Sequence, residues 1–237
     1  MAQKIFLENP YQKSFEARIV EIRDSAVQLD KTAFYATSGG QPGDTGFLKL
    51  ANKNYPVVGA KKGEGLEDVW HMLEDTSGLS VGDLVVGEID WDVRHKHMRM
   101  HTLLHLLCSL VVGEVTGCQI GADKSRVDFN MEADAANKEA LTTSLNKLIS
   151  EDHLVSYEWI TDEELLSNPS LVRSMSVKPP VGSGRARLVR IGDKDKPIDL
   201  QPCGGTHVKS TGEIGAVEIV KIENKGKQNR RISAVFA

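Results

Sequence analysis

Four residues in two short motifs have the side chains and the spacing of a metal site. The segment HTLLH places His101 and His105 four residues apart, and the segment CGGTH places Cys203 and His207 at the same spacing. On a helix, residues i and i+4 project from one face with Cβ atoms about 5–6 Å apart, so two imidazoles there can reach one ion. Three imidazoles and one thiolate form a donor set that suits tetrahedral Zn²⁺. The two motifs together predict one zinc ion per chain.

Each motif has a plainer interpretation when it is taken alone. An isolated HxxxH pair is often two helix-surface histidines or two satisfied core histidines. The glycines of CGGTH indicate a tight loop, because glycine is a poor helix former that tolerates unusual backbone angles. A core cysteine before such a loop needs no ion. The occurrence of both motifs in one chain favours the metal site over these alternatives.

The second residue of HTLLH argues against protease chemistry. A metalloprotease helix reads HExxH and uses that glutamate as the general base, whereas this chain has Thr102 there. The sequence also contains no P-loop and no GxGxxG motif. A group that activates water must therefore be sought away from this helix.

The remaining histidines and cysteines are weaker candidates. His95 and His97 precede the pair at a spacing that does not share its helical face, so both are predicted to lie on the surface. Cys108 and Cys118 lie in or just after an apolar segment and are predicted to be buried. An odd count of three cysteines argues against a disulfide framework.

The composition indicates a globular protein. The chain has 237 residues, of which 40% are hydrophobic and only 5% aromatic, so the core should be mostly aliphatic. A formal net charge of -4 does not favour a general nucleic-acid binder, although a local basic face would be enough. No apolar run approaches the ~20 residues of a membrane span, and the N-terminus lacks a signal peptide's apolar region. These features predict a cytoplasmic protein without a membrane partner.

The elements that must position the motifs fall into two parts. Residues 1–90 show short alternating segments such as SFEARIVEI, separated by turns such as SGGQPGD, and predict a small β-barrel or sandwich. Helical spacing begins near residue 91 and predicts a helix over 91–115 with an apolar stripe. A second helix is predicted over 132–152, and a short helix after Thr161 with a capping box to Glu164. Strands follow, so residues 91–237 are predicted to be α+β, with helices packed on a mostly antiparallel sheet.

The two metal motifs, about a hundred residues apart, resemble the editing domain of alanyl-tRNA synthetase. Three further segments carry the resemblance: TAFYATSGGQPGDTG at 32–46, CQIGADKSRVDF at 118–129 and GKQNRRISAV at 226–235. It covers nearly the whole chain and includes no aminoacylation domain. The chain is therefore similar to the free-standing alanyl-tRNA editing proteins of the AlaX family, in their medium-length form.

The resemblance implies an activity and a partner. It implies a zinc-dependent hydrolase that deacylates mischarged tRNA-Ala, chiefly Ser-tRNA-Ala, with Gly-tRNA-Ala as a further candidate. By match to the family motifs, His101, His105, Cys203 and His207 would hold the ion. A monomer is the favoured state. A shell of four protein ligands also resembles a closed structural site, so a tRNA-binding module with purely structural zinc is the alternative. A threonyl-type editing protein is a third hypothesis, against which SGGQPGD argues.

The resemblance also implies roles for residues outside the metal motifs. Thr32 matches a position that contacts the seryl hydroxyl, and Gln119 matches a pocket residue that orients water or the ester. Gly39 and Gly40 would allow the backbone to approach the aminoacyl end. Asp128 is a candidate for supporting a ligand histidine or for binding substrate. Each also fits a plainer role in a strand, a turn or a loop.

Basic residues are the candidates for tRNA contact. Arg99 is the substrate-binding candidate among them, and it stands with Arg94 and Lys96 at the start of the metal helix. Further basic residues lie in or beside the last predicted strands: Arg185, Arg187, Arg190, Lys225, Lys227, Arg230 and Arg231. Phosphate contacts by some of these side chains would make binding weaken with salt.

Overall fold

The chain forms two compact units in the computed structural model, which describes residues 2–65, 68–132, 136–173, 182 and 184–237. The first unit is Met1–His95 and the second is Lys96–Ala237. Both units are built mainly from antiparallel strands, and the α-helices of the described residues begin at residue 91 or later. The predicted α+β class is confirmed.

The described residues of the first unit form eight strands. They are β1 (Gln3–Lys4), β2 (Ser14–Arg23), β3 (Ala26–Leu29), β4 (Lys31–Thr32), β5 (Gly46–Leu50), β6 (Lys53–Lys62), β7 (Val69–Leu73) and β8 (Leu84–Ile89). Six of them close a barrel in the order β2-β3-β7-β6-β5-β8, and β1 pairs with β4 in parallel outside it. The barrel that the alternating segments predicted is therefore present.

The period-2 pattern explains why these strands close around one core. In β2 the side chains of Phe15, Ala17 and Ile19 are buried while the residues between them are exposed. The other strands contribute mostly aliphatic residues to the same core, with Leu48 and Val85 fully buried. Closure removes the unpaired strand edges that an open sheet of this size would leave.

The described residues of the second unit form seven strands and three α-helices, the first of which begins at Trp91, before the boundary. They are α1 (Trp91–Leu110), β9 (Glu114–Gln119), β10 (Lys124–Asn130), α2 (Lys138–Ser150), β11 (Val155–Thr161), α3 (Asp162–Ser167), β12 (Arg185–Gly192), β13 (Pro197–Pro202), β14 (Val217–Gly226) and β15 (Asn229–Phe236). The strands form an antiparallel sheet in the order β14-β15-β10-β9 and a second one in the order β11-β12-β13. The CGGTH segment directly follows β13 as a loop.

Helix α1 differs from its prediction in length and in burial. It ends at Leu110 rather than 115, because Val111, Val112 and Gly113 are poor helix formers and the chain then enters β9. Every residue from 100 to 108 is buried, so the apolar stripe belongs to a helix that is enclosed on all sides. The two histidines of HTLLH are therefore held in a packed environment.

Helix α2 also starts later than predicted. Asn137 caps it by accepting a hydrogen bond from the Ala140 N–H at 2.8 Å, so the helix covers Lys138–Ser150 rather than 132–152. Residues 133–135 of the predicted helix lie outside the described residues. The capping box of α3, between Thr161 and Glu164, is confirmed.

No helix in the described part of the chain combines the length and the apolar character that a membrane span requires.

Candidate metal centre

Helix α1 and the loop after β13 bring four side chains together. The ligand atoms of His101, His105, Cys203 and His207 all lie within 4.8 Å of one another. The Cys203 Sγ lies 3.5 Å from His101 Nε2 and 3.4 Å from His207 Nε2. Neither motif could assemble this donor set alone, because each contributes two ligands from a different element.

The spacing and chemistry of these donors fit a tetrahedral metal ion. Bonds of about 2.0–2.3 Å to nitrogen and sulfur place neighbouring donors roughly 3.3–3.8 Å apart in a tetrahedral shell. The two sulfur–nitrogen separations of 3.5 and 3.4 Å fall in that range before any adjustment. A thiolate with three imidazoles favours zinc or a related transition metal over Mg²⁺ or Ca²⁺, which prefer oxygen ligands.

Charge within the cluster favours an ionised cysteine. Burial raises the pKa of the Cys203 thiol, but the charge of His101 and the hydrogen bonds to His101 and His105 outweigh burial and hold that pKa well below its usual range. Burial lowers the pKa of His105, but its hydrogen bond to Asp199 and its contact with Cys203 outweigh burial and raise that pKa to about 10. Burial and the charge of His101 lower the pKa of His207. These directions favour the ionised form of Cys203, which is the form of cysteine that binds a metal.

A buried carboxylate supports His105. Asp199, on β13, is 1% exposed, and its Oδ2 lies 2.8 Å from His105 Nδ1. Gln201 donates from Nε2 to the same oxygen at 2.9 Å. With Nδ1 held by the carboxylate, Nε2 of His105 is the nitrogen that would bind a metal in place of a proton.

A hydroxyl group from α1 supports His207. The Thr102 Oγ1 lies 3.2 Å from His207 Nδ1 and also accepts a hydrogen bond from the Val208 N–H at 3.3 Å. Thr102 is fully buried. The residue that stands where a metalloprotease has its glutamate therefore contacts a ligand histidine instead.

A buried arginine holds the CGGTH loop. Arg187, on β12, donates from Nε to the Cys203 carbonyl at 3.0 Å and from Nη2 to the Gly205 carbonyl. Its guanidinium lies 4.5 Å from the centre of the Tyr157 ring. These contacts hold the carbonyl groups before and after the two glycines, so the backbone of the loop is fixed despite its glycine content.

The predicted substrate residues of the second unit lie on the four-stranded sheet. Asp128 contacts Arg231 through both carboxylate oxygens at 2.8 Å and Arg126 at 2.7 Å, which lowers its pKa against the effect of burial. Gln119 is exposed at the end of β9 and accepts a hydrogen bond from Arg126 at 3.2 Å. The carboxylate that contacts a histidine of the cluster is that of Asp199, and Asp128 has arginine partners.

Several predicted basic surface residues have internal contacts. Arg94 is fully buried and paired with Asp44, so its prediction as part of an exposed basic face is wrong. Arg187 and Arg230 are also buried, at 3% and 6% exposure. Arg99 is partly buried, donates to the Ile214 carbonyl from Nε at 2.9 Å and lies over the Phe236 ring.

The prediction that both early histidines lie on the surface is wrong for His97. That residue is 5% exposed, because it lies four residues before His101 and therefore shares the buried helical face of the pair. His95 is half-buried and stacks on Trp91 with ring centroids 5.2 Å apart. Cys108 is buried as predicted, whereas Cys118 is only half-buried in β9.

The predicted substrate residues of the first unit lie at one end of a strand and in the loop after it. Thr32 is fully buried, its hydroxyl lies 2.8 Å from His71 Nε2 and it accepts from the Phe34 N–H at 3.0 Å. Gly39 and Gly40 are exposed and have φ angles of 56° and 82°, which glycine adopts readily.

Gly43, in the same loop, is the glycine with a close backbone neighbour. A Cβ atom at this position would overlap the carbonyl oxygen of Ala60. The side-chain hydroxyl of Thr37 accepts from the Gly43 N–H at 2.8 Å and donates to the Ala60 carbonyl.

Asp199, Thr102, Gln201 and Arg187 were missed as parts of the site. Thr102 offered a signal, because it lies between the two histidines on a helix that faces the loop. Asp199 and Gln201 precede Cys203 by four and two residues, so alternation along a strand could have placed them on its face. Arg187 offered no such signal, since its contact arises from strand pairing.

Comparisons with known proteins agree with this architecture. Residues 186–233 match the family model described as "Threonyl and Alanyl tRNA synthetase second additional domain", and residues 2–93 match that of class II (A) tRNA synthetases. The chain is 38% identical to the alanyl-tRNA editing protein AlaX-M of Methanosarcina acetivorans, over 98% of both chains. It is 36% identical to the AlaX-M protein of Saccharolobus solfataricus, again over 98% of both.

A longer protein is also similar. The alanine–tRNA ligase of Pyrobaculum aerophilum is 36% identical over 93% of this chain, which corresponds to 25% of the ligase. The fold and the metal motifs therefore define a protein related to the additional domains of class II synthetases. Within that class, the chain belongs to the AlaX-M family of alanyl-tRNA editing proteins.

Proposed function

We propose that this protein is a zinc-dependent hydrolase that removes serine from mischarged tRNA-Ala, with Gly-tRNA-Ala as a further candidate substrate. The observation that carries the proposal is the donor cluster of three histidines and one cysteine, within 4.8 Å, in a member of this family. The relatives' names, alanyl-tRNA editing proteins, support the class of substrate. The protein is proposed to act in the cytoplasm as a monomer.

The proposed substrates follow from a limit on molecular recognition. An active site built for alanine gains only about 1–3 kcal/mol of discrimination from one methylene-sized difference, and it rejects an added hydroxyl poorly. Serine and glycine therefore escape selection at the charging step. A separate hydrolytic site corrects these errors, and a free-standing chain performs that correction on released aminoacyl-tRNA.

The ligands and their supports would hold the ion and the aminoacyl end in one geometry. When bound, the zinc would supply a Lewis acid that anchors the substrate's amino group or polarises a water or the ester carbonyl. Asp199 and Thr102 orient two of the ligand rings, and Arg187 fixes the loop that carries the thiolate. At these positions the chain itself holds the donor atoms close together and keeps the imidazole rings in fixed orientations.

Several residues are proposed to contact the aminoacyl end. Gln119 would present its amide nitrogen to the ester or to water, since its carbonyl oxygen already accepts from Arg126. The exposed backbone at Gly39 and Gly40 would approach the terminal ribose. Thr32 would contact the seryl hydroxyl only after its side chain, which is fully buried beside His71, became accessible. Asp128 would act through its two arginine partners as part of a polar surface.

Contacts to the tRNA backbone are proposed for exposed basic side chains. Arg185, Lys225 and Lys227 are exposed and are the leading candidates, and Arg99 would contribute only through the part of its guanidinium left by its internal contacts. Phosphate contacts release condensed counterions, so binding should weaken as salt rises.

The deciding experiment measures deacylation by the zinc-loaded protein. Purified chain with confirmed zinc content is incubated with Ser-tRNA-Ala, Gly-tRNA-Ala, correctly charged Ala-tRNA-Ala and Ser-tRNA-Thr. Rapid loss of the seryl ester on tRNA-Ala, with the alanyl ester retained, is the expected result. Intact Ser-tRNA-Ala in the presence of folded, zinc-loaded protein would contradict the proposal, and preferential cleavage of Ser-tRNA-Thr would indicate the threonyl-type alternative.

The four-residue donor set also favours a second candidate function. Structural zinc sites usually have four protein ligands, whereas catalytic sites usually have three and an open position. A tRNA-binding module with structural zinc would bind tRNA-Ala and leave the ester intact. The same incubation, combined with a filter-binding measurement, separates the two candidates.

A further inference from the structure

The hydroxyl group of Thr102 makes three hydrogen bonds. It donates to the Met98 carbonyl at 3.0 Å, lies 3.2 Å from His207 Nδ1 and accepts from the Val208 N–H at 3.3 Å. A threonine hydroxyl has one hydrogen and two acceptor lone pairs. The three partners therefore use its full capacity, in a position that is 0% exposed.

The hydrogen-bond count of Thr102 indicates which ring nitrogen of His207 carries the proton. A threonine inside a helix commonly donates to the carbonyl four residues earlier, and Thr102 does so with Met98. Its single hydrogen is then committed, so the contact with His207 requires the histidine to donate from Nδ1. In that tautomer the Nε2 lone pair is free, and Nε2 is the atom 3.4 Å from Cys203 Sγ.

We propose that Thr102 is a positioning residue, whose hydroxyl holds His207 in the Nδ1–H tautomer and thereby sets how tightly the cluster binds zinc. The same hydroxyl ties α1, which carries two ligands, to the loop that carries the other two. The inference rests on the metal in the proposed function and not on the substrate. A chain that binds zinc in this way without cleaving an ester would contradict the proposed function and leave the inference intact.

The test compares zinc affinity among variants by competition with a chromophoric chelator. Thr102→Val keeps the shape of the side chain and removes the hydroxyl, so we expect zinc affinity to fall about 10–100-fold, as for other groups that hold a metal ligand. Thr102→Ser restores the hydroxyl and should bind zinc close to the wild-type value.

The chain offers a matched control at Thr142. Its hydroxyl donates to the Lys138 carbonyl four residues earlier in α2 at 2.9 Å and accepts from the Ile219 N–H at 3.1 Å. Thr142→Val therefore loses the same two kinds of hydrogen bond to the backbone, but it has no histidine partner to lose. This variant should keep the wild-type zinc affinity. Equal zinc affinity in Thr102→Val and Thr142→Val, or a serine variant as weak as the valine variant, would overturn the proposal.

A measurement on the unaltered protein tests the tautomer without any variant. Two-bond ¹H–¹⁵N correlation spectra of the zinc-loaded chain distinguish a protonated ring nitrogen from a metal-bound one by their nitrogen shifts. His207 should show a protonated Nδ1 and an unprotonated Nε2. The opposite assignment would overturn the proposal even if the valine variant failed to fold.

Discussion

Asp199 places a negative charge beside the metal ligands, in a position with almost no solvent. Its Oδ2 contacts His105 and Gln201, whereas its Oδ1 has no hydrogen-bond partner among the described residues and lies 3.9 Å from Arg173 Nε. A buried carboxylate is costly unless it is compensated. A divalent cation bound by His105 and Cys203 would compensate the charge of this carboxylate.

Substitution of Asp199 tests this support. Asp199→Asn keeps the shape of the side chain but removes the charge that strengthens the hydrogen bond to His105, so zinc affinity should fall about 10–100-fold. Chelator competition measures the change. Asp128→Asn is the control, because that carboxylate contacts arginines on the sheet, and it should leave zinc affinity unchanged. An equal loss in both variants would contradict the assigned role of Asp199.

His71 makes the stability of the barrel depend on pH. Burial lowers its pKa from 6.5 to about 4, and its contact with the Val27 carbonyl only partly opposes burial. The unfolded chain therefore binds a proton at higher pH than the folded chain does, so this contribution to stability is fully present above about pH 6.5 and is lost as pH falls towards 4.

At pH 5 the loss amounts to about 2 kcal/mol for this one histidine. Urea unfolding of the wild type and of His71→Gln at pH 7.5 and pH 5 measures it. The glutamine can keep both polar contacts and does not titrate, so the variant should lose less stability on acidification than the wild type. Identical losses would show that another group controls the pH response.

At the scale of elements, helix α1 carries a buried ion pair in its first turns and the candidate metal ligands in its later turns. Its first turns belong to the barrel unit, where Arg94 donates to Asp44, to the Pro10 carbonyl at 2.9 Å and to the Ala33 carbonyl at 2.6 Å. Its later turns carry HTLLH and are buried on every face. Helical periodicity predicted the helix, but its apolar stripe could not reveal that the polar residues between are buried as well.

The buried ion pair at the start of α1 should be sensitive to loss of one partner. Arg94→Ala leaves the Asp44 carboxylate, 1% exposed, without its cation and should destabilise the first unit by about 3–5 kcal/mol. Lys49→Ala, at an exposed ion pair with Glu88 in the same barrel, should cost less than about 1 kcal/mol. Urea denaturation followed by tryptophan fluorescence checks both, and similar costs would mean that burial does not decide the difference.

At the scale of the whole molecule, the metal would link segments of the second unit that lie a hundred residues apart. That unit also has a core independent of the ligands, in which Leu103, Phe129, Ile219 and Ile232 are fully buried. The aliphatic core should therefore keep the unit folded without the ion. The order of the loop that carries Cys203 and His207 should depend on the ion.

Removal of the metal tests this division. After chelation, hydrogen exchange should accelerate in β13 and in residues 203–208, and the amides of the barrel strands should keep their protection. Mass-spectrometric exchange of the zinc-loaded and metal-free chains makes the comparison. Cooperative unfolding of the whole second unit would instead favour the structural-zinc alternative, because structural zinc contributes folding free energy directly.

The sequence by itself determined the residues whose chemistry and pattern are local. The four candidate ligands are recognisable because the two motifs occur together in one chain, and the barrel strands are recognisable because alternation indicates one buried face. The capping box of α3 is local in the same way, since Thr161 and Glu164 are three residues apart. These features depend on neighbours in the chain, which the sequence lists directly.

Only the tertiary structure decided which groups support the ligands and which charges are internal. Asp199 reaches His105 across 94 residues, Thr102 reaches His207 across 105, and Arg94 reaches Asp44 across 50. Such contacts depend on strand register and on the burial of α1, and neither is encoded in the spacing of a motif. The spacing within HTLLH therefore pointed to two candidate metal ligands, whereas the contact between its threonine and His207 emerged only once the CGGTH loop was packed against the helix.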